Sequence, residues 1–96
     1  MRHLYEFRWK SGRGGDIFGL FIEDEEVVAS HFGKAVDFGE VLGKHSEVSG
    51  TFDKEDIRII TSDEALLAAF TKMFGSSYGY DPLQSIEERE AEEADQ

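Results

Sequence analysis

The sequence predicts a single α+β domain: an antiparallel sheet of about five strands with two helices, in the order β-β-α-β-β-β-α, followed by an acidic C-terminal tail. Three observations predict it. Tyr5, Phe7 and Trp9 alternate with Glu6, Arg8 and Lys10, the period of a half-buried strand. Later stretches return to extended, β-branched and aromatic composition between short polar turns. Between them, Asp24–Phe32 and Ser62–Phe74 carry apolar residues at helical spacing.

After the first strand, Ser11-Gly12-Arg13-Gly14-Gly15 breaks regularity. Ile17 to Ile22 is apolar on both faces, with Phe18, Leu20 and Ile22 on one side and Ile17, Gly19 and Phe21 on the other. That pattern suits an interior strand hairpinned to the first. Asp24 is placed as a helix N-cap, with Glu25 and Glu26 in the first turn and Gly33 ending the helix. Val36–Leu42, Glu47–Phe52 and Ile57–Thr61 then form a three-stranded meander around two polar turns. Thr61 with Glu64 forms a capping box for the second helix. Leu66, Leu67, Phe70, Met73 and Phe74 are its buried stripe, and Gly75 ends it. Phe7, Trp9, Phe18, Leu20, Val28, Phe32, Phe38, Ile59, Leu67 and Phe70 make the expected core.

The domain is assigned to residues 1–80 and the tail to 81–96. Asp81 and Pro82 can start a third helix, but beyond Ile86 nothing apolar larger than alanine remains, so fraying is expected from Glu87 onward. The tail holds seven acids against Arg89 alone, a net of −6 out of −11 for the whole chain. Such charge repels nucleic acid and membrane surfaces and suits a basic protein partner. Cysteine is absent, which removes disulfides, thiolate metal sites and thiol nucleophiles, and fits a cytoplasmic setting. The N-terminal sequence contains no apolar signal-peptide core, and no run approaches the roughly 20 apolar residues of a membrane span.

The segment Gly39–Ser46 resembles a phosphate-binding loop only on the surface. Three residues, not four, separate Gly39 from Gly43, and His45 stands where Ser or Thr belongs after Lys44. Pairing the strands about Lys44 and His45 sets Gly39 opposite Gly50, Val41 opposite Val48 and Glu40 opposite Ser49. Facing glycines leave bare backbone, covered by a ring such as Phe21 or Trp9, or open as a shallow groove for a partner's side chain. His45, beside Lys44, Ser46, Glu40 and Glu47, reads as a solvated turn or as a general base. His31 is expected to be packed and hydrogen-bonded, and His3 carries no signal. Tyr78 and Tyr80 read as a strap over the core or as a recognition element.

No catalytic residue, cofactor or metal ligand is assigned. The candidate binding residues are Gly39, Glu40, Lys44, His45, Glu47, Gly50, Tyr78 and Tyr80. The functional expectation is a non-catalytic binding module, monomeric or a small homo-oligomer, that inhibits a basic or nucleic-acid-handling protein. Short, acidic, cysteine-free domains of this kind are common in phage and mobile elements. The alternatives are a small enzyme or ligand-binding domain using the Gly43–Glu47 turn, and a structural subunit that self-associates through a sheet edge.

Overall fold

Alternation in the first strand becomes a division of the whole molecule into two sides. The computed structural model describes residues 1–10, 16–40 and 47–94. Strand β1 (Arg2–Lys10) pairs antiparallel with β2 (Asp16–Asp24), setting Tyr5 opposite Phe21, Phe7 opposite Gly19 and Trp9 opposite Ile17. These six share one face, and Leu4, Leu20 and Ile22 share the other.

The remaining elements are helix α1 (Glu25–Ser30), strands β3 (Ala35–Glu40) and β4 (Glu47–Thr51), and a 3-10 turn (Lys54–Asp56). Strand β5 (Ile57–Thr61), helix α2 (Glu64–Phe74), strand β6 (Ser77–Gly79) and helix α3 (Pro82–Ala94) follow. The mixed α+β class is as predicted. Its strands divide into a four-stranded antiparallel sheet, ordered β5-β1-β2-β6, and the separate β3–β4 pair.

The expected meander is therefore interrupted: β5 leaves β4 and pairs with β1. The 3-10 turn makes the break. Asp53 Oδ receives the Asp56 amide while Asp56 Oδ2 receives the Asp53 amide at 2.8 Å, a reciprocal cap that turns the chain toward the main sheet. Strand β6 lies in what reads as a linker, because a three-residue strand has no period to detect.

One side of the main sheet is covered by α1, the β3–β4 pair and α3, and buries Tyr5, Phe7, Ile17, Phe21, Val28, Val36, Phe52, Leu83 and Ile86. The Phe7 ring lies 5.2, 5.9 and 6.2 Å from those of Trp9, Phe38 and Phe52. On the other side α2 alone closes a smaller cluster of Leu4, Leu67 and Phe70, against which Leu20 and Ile22 pack.

Leu83 and Ile86 anchor the segment that follows the domain assigned from sequence. These two residues seat the first turns of α3, and the helix runs on to Ala94, past the point where fraying is expected. Asp81 caps it, its Oδ1 receiving the amides of Leu83 and Gln84 at 3.0 and 3.2 Å. Asp24 caps α1 as predicted, accepting from the Glu26 amide at 3.0 Å. The cap of α2 is Asp63, which accepts from Ala65 at 2.8 Å. Thr61 instead receives the Asp63 amide at 3.1 Å, so the predicted capping box gives way to a shorter aspartate cap. Ile59, placed in the core from sequence, is half exposed because β5 is an edge strand.

Candidate functional site

Helix α2 has more apolar side chains than the sheet beneath it can cover. Leu67 and Phe70 point inward and are buried. Leu66 and Met73, seven residues apart and so on one flank, are 55% and 68% exposed. The predicted five-residue buried stripe is thus two residues buried and three exposed, Phe74 being the third. Gly75, at φ 79°, ends the helix and turns the chain into β6. Strand β6 then brings Tyr78 back against the helix. Phe74 stands 5.3 Å from Phe70 and 5.0 Å from Tyr78, ring centroid to centroid, and Tyr78 is itself 53% exposed.

The two tyrosines therefore part company. Tyr80 turns inward and meets Phe38 edge-on at 5.3 Å, as a strap should. Tyr78 joins Leu66, Met73 and Phe74 in an outward apolar patch. A polar cleft of about 300 Å³ runs between β2, β6 and α3, with Glu23, Asp81 and Glu87 around it. Burial holds Asp81 above the usual carboxylate range, against the pull of its two amide hydrogen bonds, and Glu87 and Glu23 push the same way as burial. Glu87, Glu88, Glu90 and Glu92 line the exposed side of α3. Lys34 Nζ meets Glu90 Oε1 at 2.6 Å, and that hydrogen bond holds Glu90 below the carboxylate range.

A second concavity is apolar, of about 340 Å³, between α1, the 3-10 turn and β5. Tyr5, Val28, Phe32, Ile57 and Ile59 wall it, with Glu25, Lys54 and Arg58 at its margin. Arg58 is engaged, forking onto Glu6 with two contacts of 3.1 Å that hold Glu6 below the carboxylate range.

Beside this cavity lies a constellation that sequence spacing does not reveal. His3 is buried, its Nε2 is 2.9 Å from Glu25 Oε2, and its Nδ1 is 2.6 Å from Ser62 Oγ. The Glu25 carboxylate can only accept, so Nε2 carries a proton, and in the neutral ring Nδ1 accepts from the Ser62 hydroxyl. Three distant segments meet here: the start of β1, the start of α1 and the β5–α2 junction. Their separation in sequence leaves no local signal. His31 is packed and bonded as expected, its Nδ1 donating to the Val27 carbonyl at 2.7 Å, with Nε2 3.5 Å from Glu87.

The facing-glycine groove is not formed. In the observed register Gly39 lies opposite Val48, Glu40 opposite Glu47 and Gly50 opposite Val36, with an irregularity between Asp37 and Gly39. Asp37 Oδ1 receives the Gly39 amide at 2.8 Å and Gly39 takes φ 72°, which shifts the pairing. Gly50 is exposed but meets the edge of the Trp9 ring, where a Cβ would lie 3.3 Å from Trp9 Cη2. Lys44 and His45, with the rest of the Gly43–Ser46 turn, lie outside the described residues. Facing glycines do occur at Gly19 and Gly79, where β2 meets β6. A Cβ on Gly19 would fall 1.8 Å from the Tyr80 carbonyl oxygen, so this pair serves close backbone packing, not a ligand.

Among the described residues no group of acids and histidines is arranged to hold a metal ion, and no helix is long and apolar enough to cross a membrane. Comparison of the chain with protein-family models, curated proteins and solved structures finds no match.

Proposed function

We propose that this chain is a non-catalytic protein-binding module. Its partner presents an apolar contact patch within a basic surface, as a small phage or mobile-element inhibitor of a nucleic-acid-handling protein would require. The observation that carries this reading is the patch of Leu66, Met73, Phe74 and Tyr78, open on a chain of net charge −11. Exposed apolar side chains grouped on one helix flank mark interaction surfaces, and the net negative charge of the chain would steer a basic partner toward it. Direct nucleic-acid binding and membrane binding are disfavoured by the same charge. The protein works as a monomer or small homo-oligomer in the cytoplasm.

The test pairs the wild-type chain with the double variant Leu66→Asp, Met73→Asp as baits. The captured protein is then purified and titrated against both at low and high salt. Loss of binding in the double variant, with wild-type affinity falling as salt rises, supports the module. Equal binding by the two baits rejects the patch.

The second reading, a small enzyme, is favoured by Ser62, His3 and Glu25. Ser62 Oγ would attack an ester carbonyl and pass its proton to His3 Nδ1. The departing alcohol would take that proton, and water would release the acyl group by the same base. A fluorophosphonate probe is the test. An adduct on Ser62 that is lost in His3→Gln supports the enzyme, and an unlabelled wild-type chain rejects it.

A further inference from the structure

We infer that the outer edge of β5, with the cavity beside it, is a second docking surface, one that takes an extended segment of a basic protein by strand addition. This rests on the binding-module reading but uses the opposite edge of the main sheet from β6. Strand β5 is terminal in that sheet, and among the described residues no strand pairs its outer side. An edge of this kind offers unpaired amides and carbonyls and is normally blunted by charge, proline or a covering element. Here Ile59 and Ile60 remain 51% and 42% exposed, so the edge is left apolar.

Register fixes what a guest strand would meet. Ile59 lies beside Tyr5, and Ile57 beside Phe7, so both point to the sheet face that carries the cavity. A strand laid along β5 sends alternate side chains to that same face. One of them would hang over a concavity of about 340 Å³ walled by Tyr5, Val28, Phe32, Ile57 and Ile59. Backbone hydrogen bonds would supply affinity, and the cavity would select a bulky apolar anchor.

Charge selects the flanks. From Asp53 to Glu64 the chain carries Asp53, Glu55, Asp56, Asp63 and Glu64 against Lys54 and Arg58, a net of −3. The acids stand at both ends of β5, and Arg58 is already spent on Glu6. The occupant is therefore strand-forming, apolar at alternating positions, with lysine or arginine at each end.

The probe is the labelled peptide Lys-Lys-Val-Thr-Phe-Thr-Val-Lys-Lys, titrated by fluorescence anisotropy against the full chain. Amide shifts are followed in parallel. Expected are saturable binding, shifts concentrated on Ile57–Thr61, and at least a tenfold loss of affinity in Ile59→Lys, whose fold is checked by thermal melting. A peptide with glutamate in place of each lysine should not bind. Leu66→Asp, Met73→Asp should bind the probe like wild type, which separates this surface from the α2–β6 patch. Absence of saturable binding, binding unaffected by Ile59→Lys, or shifts centred on α2 and β6 would each overturn the inference and leave the patch reading standing.

Discussion

The two faces of the main sheet are built from the same strands yet are finished differently. The face of Tyr5, Phe7, Ile17 and Phe21 is roofed by α1, β3–β4 and α3, which together leave its central side chains almost no solvent contact. The face of Leu4, Leu20 and Ile22 has one helix over it. A single helix covers a narrow band, so the flank of α2 and the ring of Tyr78 are left outside. The first face buries the larger core, and the second leaves apolar surface exposed.

Truncation should separate the two faces most sharply. Phe7→Ala removes a fully buried ring packed among Trp9, Phe38 and Phe52, in a wall formed from several elements that cannot all close in. Its expected cost is about 4 kcal/mol. Leu67→Ala also empties a fully buried position, but α2 is held by few neighbours and can settle into the space. Its expected cost is about 2.5 kcal/mol, the low end for such a change. Urea denaturation at fixed slope measures both, and equal losses would mean that the α2 face is as firmly constructed as the other.

The junction between the faces gives the next effect. Gly19 sits where β2 and β6 approach so closely that alanine would collide with the Tyr80 backbone. Neither partner is a flexible side chain, so β6 must separate from the sheet. Gly19→Ala should cost about 2 kcal/mol or more and release Tyr78 from Phe74. Gly50→Ala, which meets only the edge of the Trp9 ring, is the control with a smaller loss. Comparable losses would show that the β2–β6 approach is looser than these distances imply.

How much of this is legible in the sequence follows from where each signal resides. Local signals were readable: the β1 alternation, the Asp24 cap, the two-sided β2 and the helical spacing of α2 all depend on near neighbours along the chain. Pairings set by tertiary geometry were not. Strand β5 fits β1 as well as β4 by pattern, and the 3-10 turn at Lys54–Asp56, which separates it from β4, carries no periodic signal. The Gly39–Gly50 pairing failed because an Asp37 side chain shifted the register, which no alternation count detects. Tyr78, a candidate binding residue by sequence, stands in the patch. Leu66 and Met73 were missed because an apolar helical stripe looks the same whether its roof is present or absent. A stripe of five over a sheet that offers Leu4, Leu20 and Ile22 was the available hint.

Acid titration sharpens the same contrast at α3, which roofs the well-covered face. Asp81 sits above the usual carboxylate range in the folded chain, chiefly through burial, and returns to that range on unfolding. The folded state therefore holds this proton more tightly. Its contribution to stability is present below the ordinary aspartate value and is lost as pH rises through the raised one. Asp81→Asn keeps an acceptor for Leu83 and Gln84 and removes the titration. The variant should gain on wild type between pH 4 and pH 7, modestly, as read from urea midpoints at the two values. A variant that falls further behind at pH 7 would mean that the amide hydrogen bonds, and not burial, dominate.

The smallest expected effect on stability is at the patch itself. Met73→Asp alters a side chain that is 68% exposed, and changes at such sites usually stay within about 0.5 kcal/mol. Were Met73 part of the support for α2, the change would instead resemble Leu67→Ala in its urea midpoint. The contrast matters because the binding reading requires a surface that can be altered without disturbing the fold. An unchanged midpoint together with lost partner binding would place Met73 in recognition alone. A midpoint shift as large as that of Leu67→Ala would return the α2 flank to the core and take away the observation on which the docking patch stands.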